Sequence, residues 1–299
     1  MKAVKKANDI ILDGLLILVF GIFTIMCIFP FYYIFINTIS DNNLVALGRI
    51  VIFPKRLHLS NYINVLKLRT IAPAAVISVS RTVIGTFITL IAASFPAYAF
   101  TRPEYWHRKF FYRYVVIIMY FGAGVIPTFL TYRLIGIYNT FWAYVLPAMV
   151  TPFNLILCKT YVESIPASLE ESAEIDGAGY LRRYLLIILP LCKPILATIA
   201  VFSAVGQWNS FIDTVLYIRD SRLFTLQYIL YNYLNQANAI IEIMRSDPAA
   251  MADMDISSIL TPTTVRYTIC MVTIFPILVV YPFFQKYFVK GIMIGAVKG

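Results

Sequence analysis

SIPASLEESAEIDGAGYLRRYLLIILPLCKP, Ser164–Pro194, holds two chemistries in one line. Its first half is polar, with Glu170, Glu171, Glu174 and Asp176 close together and Gly177 and Gly179 behind them; its second half turns apolar at Leu185. Pro166 suits the first turn of a helix, where a missing N–H costs nothing. Ser168 and Glu171 have the offset of a capping box, so two helix starts stay open. Gly177 and Gly179 suit a left-handed C-terminal turn. The spacing predicts a helix of roughly two to three turns within 164–179, then a sharp bend into an apolar span. At about 100° per residue, Leu169, Ala173 and Asp176 share one side, while Glu170, Glu174 and Gly177 form a neighbouring stripe. Small Ala173 and Ala178 keep the surface beside the acids low. A carboxylate on such a surface can pair with a Lys or Arg of another protein, and with Arg the pairing can be bidentate. The island therefore reads as a docking knob, with a solvated loop helix as the plainer alternative.

Around this knob the chain is oily. Of its 299 residues 60% are apolar or aromatic and 13% are charged, against about 25% charged in soluble proteins. A bilayer core about 30 Å thick needs roughly 20 mostly uncharged residues per helical crossing. Six stretches qualify: Leu15–Ile36, Thr82–Phe100, Tyr114–Tyr132, Leu134–Leu157, Leu185–Val205 and Tyr267–Phe284. Arg133 and Gly136 leave little room for a turn between the third and fourth. Apolar runs without strict alternation argue against a β-barrel. The expectation is an all-α integral membrane protein, with one transmembrane domain over 1–299. Lys2, Lys5 and Lys6 precede an apolar run too long for a signal peptide and without a small-residue cleavage site, so that run reads as a retained first span.

Lys and Arg in short loops decide orientation. Segments 1–14, 101–113, 158–183 and 286–299 hold 13 of them in 67 residues, whereas 38–71 and 214–263 hold 8 in 84. The bias puts both termini, the knob and the tail 286–299 in the cytoplasm. Ser40–Tyr62, whose Asp41-Asn42-Asn43 cluster, Pro54 and Asn61 discourage regular structure, falls outside. So does the extracytoplasmic loop 214–263, with a helix-like stretch from Phe224 to Gln236, read as a cap over the bundle or a partner contact.

Several function classes drop out. The net charge of +10 is scattered among membrane flanks and forms no stripe, so nucleic acid is not indicated and lipid anchoring is. Cys27, Cys158, Cys192 and Cys270 lack paired spacing, which leaves packing rather than metal or redox work. His58 and His107 gather no nucleophile, base or metal cluster, so no catalytic residue and no enzyme is expected. There is no G-x-x-x-x-G-K-[ST] loop to cradle ATP. Ion coupling needs ionisable residues inside the membrane, and Asp9, Asp13 and Asp213 sit near span ends, while Arg81 and Lys193 are expected to snorkel. That shortage weighs against the alternative of an ion-coupled secondary sugar transporter.

Glu171, Ala173, Asp176, Gly177, Ala178, an aromatic at Tyr184, Ile187, Leu189-Pro190 and Pro194 together resemble the EAA motif of bacterial ABC importer permeases. Ser172 departs from the usual second Ala, small for small. Phe283–Gly299 is similar to the closing sequence of the maltose-type carbohydrate permeases, and Leu59–Tyr62 and Gln207–Asn209 are similar too, so the likeness spans nearly the whole chain. Within that family it resembles the subgroup for complex oligosaccharides such as aldouronates. The resemblance implies a six-helix type I importer domain in the bacterial cytoplasmic membrane. It further implies a second permease, two cytoplasmic ATPase subunits that bind ATP and Mg, and an extracytoplasmic sugar-binding protein, with no cofactor on this chain. The knob becomes the coupling helix: Glu171 makes the ion pair, and Asp176, Gly177 and Ala178 shape its turn. Lys290, Gly295 and Lys298 become tail contacts to the ATPase, in a tail read as turn-rich. Sugars are held by aromatic faces and amide groups. Gln207, Trp208 and Asn209 offer both at the outer end of the fifth span, with Tyr120, Phe121, Trp142 and Tyr144 as secondary candidates. Pro190 and Pro194 are expected to kink that span.

Overall fold

The computed structural model describes residues 7–246 and 263–296, all helical or loop. The chain divides into two compact units: Met1–Leu68 with Tyr233–Ile274, and Arg69–Asn232 with Phe275–Gly299.

The first unit begins with α1 (Ala7–Thr38), whose most apolar 18-residue window is unburied, while Ile36, Asn37 and Thr38 at its end are buried. So much exposed aliphatic surface is compatible with lipid, not water. The chain then makes two short helices, α2 (Asn42–Ala46) and α3 (Ser60–Leu66), in the stretch expected to be irregular. The polar residues read as breakers act as caps and ties instead. The Asp41 carboxylate accepts the backbone N–H groups of Asn43 (3.0 Å) and Leu44 (3.2 Å), as an N-cap does. These bonds, the Leu44 one first, hold its pKa below the usual carboxylate value. Asn61 donates to the Thr38 carbonyl and the Asn42 side chain, both at 2.9 Å.

The second unit is organised on α4 (Ile71–Thr101). One row of it is small or polar and buried: Ala74, Ser78, Gly85, Thr89, Ala93 and Ala97. Small residues at that spacing let neighbouring helices approach closely. The helices α5 (Arg108–Ile118), α6 (Val125–Leu134), α7 (Trp142–Val145) and α8 (Pro152–Glu163) follow. Next come α9 (Ser168–Ile175), α10 (Tyr180–Leu191), α11 (Lys193–Asn209) and α12 (Ile212–Tyr217). The core buries Ala93 and Ala97 of α4, Cys158 and Val162 of α8, and Ile195 and Ile199 of α11. Cys158 and Cys192 are buried in it as free thiols, in the packing role expected of them.

Among the described residues three helices are long and apolar enough to cross a bilayer, Leu12–Thr38, Ile71–Thr101 and Thr263–Val280; α10 and α11, bent by 77°, make a fourth candidate. The expected third and fourth spans are not continuous helices. Tyr114–Tyr132 is interrupted between Ile118 and Val125, where Gly124 takes φ +82°, a conformation open to glycine at no steric cost. Leu134–Leu157 contains a left-handed Gly136 (φ +76°), the four-residue α7, and then Pro147 and Pro152. Pro147 cannot continue a helix, whereas Pro152 fits the first turn of α8. The fifth span begins at Tyr180, carries a π-turn at Tyr184–Ile188 and bends between Pro190 and Pro194, as those prolines foretold.

Two further readings are corrected. The stretch after Tyr217 is largely helical, with α13 (Leu226–Ser246) outrunning the expected Phe224–Gln236; residues 247–262 of that loop lie outside the described residues. The last helix, α14 (Thr263–Ala296), runs through Pro276 and Pro282 and past Phe284. The tail expected to be turn-rich is therefore helical to Ala296. Gly291 and Gly295 each cost a helix only about 1 kcal/mol, and no proline follows Pro282 to stop it. Lys290 and Gly295 lie on this helix; Lys298 lies outside the described residues.

Candidate functional site: an anchored acidic helix and a polar cavity

α9 starts from the proline, not from a capping box. Leu169 N–H bonds the Pro166 carbonyl (3.3 Å), Glu170 and Glu171 bond that of Ala167 (2.9 and 3.0 Å), and no side chain caps the end. Its C-terminus closes in a Schellman turn: Ala178 N–H reaches the Ala173 carbonyl and Gly177 N–H that of Glu174, both at 2.9 Å, with Gly177 at φ +81°. Gly179 was expected to share this left-handed turn. It is extended (φ −68°) and leads α10 instead.

The two acid stripes do different things. Glu170 is 5% exposed. Its carboxylate accepts the Tyr98 hydroxyl and an Arg102 N–H and lies 3.8 Å from Arg183 Nη1. Arg183 Nη1 also donates to Glu174 at 2.8 Å, and its guanidinium lies over the Tyr180 ring. Charge-assisted bonds of this kind are roughly twice as strong as neutral ones, so the inner stripe fastens α9 to α4 and α10. Glu171 and Asp176 are exposed, as is Ile175 at 87%, and Ala173 and Ala178 are half-buried. Among the described residues no ion pair or side-chain hydrogen bond reaches Glu171 or Asp176. Periodicity isolated the Glu170–Glu174 stripe but not its partners.

The fifth-span candidates separate. Gln207 is buried, and its Nε2 lies 3.4 Å from the Tyr144 carbonyl. It packs on Gly85, where a Cβ would stand 2.7 Å from Nε2. Gln207 Oε1 accepts from Arg81 Nε (3.1 Å) and Nη2 (3.0 Å). Arg81 also pairs with Asp213 at 2.5 Å and lies over the Tyr144 ring at 4.3 Å. Expected to snorkel, Arg81 is instead 2% exposed; Lys193, expected to do the same, is exposed. Arg81, Gln207 and Asp213 line a cavity of about 520 Å³ together with Asn154, Ser203 and Phe153. Trp208, one position on from Gln207, faces a separate apolar groove with Val83, Val205 and Pro276. Asn209 is exposed, as are Tyr120 and Trp142, and none of the three lines the cavity. Sequence reading missed Arg81, Asn154, Ser203 and Asp213 here. Arg81 and Asp213 are 132 residues apart, and no local pattern joins them. Among the described residues no three His, Cys, Asp or Glu side chains are grouped to hold a metal.

Among the described residues the chain is all helical, with helices long and apolar enough to cross a bilayer and an acidic helix fastened to α4 and α10. Residues 85–294 match the family described as binding-protein-dependent transport system inner membrane component, and the chain belongs to that family. It is 34% identical over 295 residues to the polygalacturonan/rhamnogalacturonan transport system permease protein YtcP of Bacillus subtilis (strain 168), covering 99% of each chain. It is 27% identical over 309 residues to the arabinooligosaccharides transport system permease protein AraQ of Halalkalibacterium halodurans, covering 99% of this chain and 100% of that one. A crystal structure of a bacterial ABC transporter involved in the import of the acidic polysaccharide alginate superposes with a TM-score of 0.82 at 30% identity, covering 96% of this chain and 100% of that chain. The chain is thus a multi-pass inner-membrane permease component of an ABC transporter, and not an enzyme.

Proposed function

We propose that the chain is one permease half of an ATP-driven importer that carries oligosaccharides or polysaccharide fragments across the bacterial cytoplasmic membrane by alternating access. The carbohydrate cargoes in the relatives' names support this class of substrate. The chain crosses the membrane six times, as α1, α4, α5 with α6, α7 with α8, α10 with α11, and α14. Both termini and α9 face the cytoplasm. α9, carrying the EAA element, is the coupling helix and seats its outer face in a cleft of a cytoplasmic ATPase; Lys290, Gly295 and Lys298 approach the same subunit. Two ATPases bind ATP and Mg, a second similar permease completes the pathway, and an extracytoplasmic sugar-binding protein delivers cargo. ATP binding draws the ATPases together, the coupling helices follow, and the bundle halves rock about the cargo, a population shift driven by a partner.

The observation that carries the coupling role is the division of α9: one acid stripe is spent on the bundle, while Glu171 and Asp176 are left exposed and unpaired. Glu171→Ala should cut uptake by the reconstituted complex at least tenfold with membrane insertion unchanged. That is the scale of losing one partner of an interfacial charge pair, about 2–5 kcal/mol. Wild-type uptake and ATPase coupling in this variant would refute the docking role.

A further inference from the structure

The cavity beside Arg81 has a charged wall whose charges are already paired with each other. A guanidinium has five N–H donors and no acceptor. In Arg81 all five are engaged. Nε and one Nη2 hydrogen serve Gln207, the other Nη2 hydrogen serves Asp213 Oδ2, and Nη1 serves Asp213 Oδ1 (3.2 Å) and the Ser210 carbonyl (3.3 Å). Asp213 also cancels the charge. Nothing on Arg81 is left to receive a carboxylate. Two other groups on the wall are open. The Asn154 amide, 5% exposed, and the Ser203 hydroxyl line the cavity, and neither has a hydrogen-bond partner among the described residues. Both groups open onto the cavity and are not sealed in the core, so a ligand hydroxyl can reach them. Phe153 and Phe202 supply ring faces beside them. The volume, about 520 Å³, falls within the roughly 300–1,000 Å³ usual for small-molecule sites.

Resting on the reading of the chain as a carbohydrate permease, we propose that this cavity is a subsite for an uncharged sugar unit. Asn154 and Ser203 bond its hydroxyls, the phenyl rings cover its C–H face, and the closed Arg81–Asp213 pair gives no countercharge to a uronate. The names of similar proteins include both an acidic polysaccharide and arabinooligosaccharides, so the proposal rests on the wall chemistry and not on cargo names.

The test uses the complete transporter with its binding protein in proteoliposomes. It is offered a panel of neutral trisaccharides and their uronate counterparts, and import is read by mass spectrometry of the lumen. Asp213→Asn keeps the shape but leaves Arg81 with an unbalanced positive charge. Because the same binding protein serves both forms, the acid-to-neutral import ratio should rise about tenfold over wild type. Ser203→Ala should lower import of the neutral members several-fold, and serves as the second measurement if Asp213→Asn does not assemble. An unmoved ratio in assembled Asp213→Asn would overturn the charge argument, and wild-type neutral import in Ser203→Ala would overturn the cavity as a sugar subsite. Import of no carbohydrate by the wild-type complex would overturn the cargo reading beneath it.

Discussion

A carboxylate as deeply buried as Glu170 has to be held, and three side chains hold it: Tyr98 of α4, Arg102 at its C-cap and Arg183 of α10. Removing one partner from a buried ion pair costs about 3–5 kcal/mol, because the remaining charge is stranded. Glu170→Gln keeps the shape and an acceptor but drops the charge, leaving Arg102 and Arg183 under-compensated at the root of α9. In the proposed coupling role, the helix should still present Glu171 to the ATPase yet move loosely against α4 and α10. The sugar imported per ATP hydrolysed is therefore expected to fall several-fold while the ATPase stays bound. An unchanged ratio would mean that α9 transmits force without this anchor. The same residue marks the limit of what was legible. Glu171 stood out because the motif around it is local. Glu170 and Arg102 are 68 residues apart, and no periodicity reveals which stripe of a short helix faces its own protein. Arg81 was misjudged for the same reason: its partners Gln207 and Asp213 reach it only through the packing of α11 and α12 on α4.

Neighbouring helices of the second unit pack along the narrow row on α4, and of the described glycines Gly85 alone has a neighbour within 4 Å of an added Cβ. A methyl group there would stand 2.7 Å from Gln207 Nε2 and 2.9 Å from its Cδ, well inside contact distance. Gln207 would have to move and release Arg81. Overpacking of this kind costs about 1–3 kcal/mol, so Gly85→Ala should lower the thermal midpoint of the purified complex by several degrees. Gly21→Ala in α1, with nothing within 4 Å of the added carbon, should not lower it. Equal midpoints would show that Gln207 has slack. Elements were legible where apolarity and backbone agreed, as in α1, α4 and the first turns of α14. They were not where a window of apolar residues hid a break. Hydropathy registers Gly122, Gly124 and Pro147 as tolerable members of a greasy run, but the backbone treats them as turns. The bend between α10 and α11 was readable because Pro190 and Pro194 bracket it.

At the scale of the molecule, the proposed function divides the work between chains. The sequence has no G-x-x-x-x-G-K-[ST] loop to cradle phosphates, and the buried charge of Arg81 is locked in a pair with Asp213. Under that proposal the free energy enters through the exposed face of α9, and the proposed six crossings supply half of the path. The complex should then contain one copy of this chain, one second permease and two ATPases, a composition that native mass spectrometry reads directly. The chain reconstituted alone should import nothing. The full complex should keep importing when ionophores collapse the proton and ion gradients, and should stop when ATP is withheld. Uptake by the chain alone, or uptake that follows the gradients and ignores ATP, would overturn the ATP-driven reading.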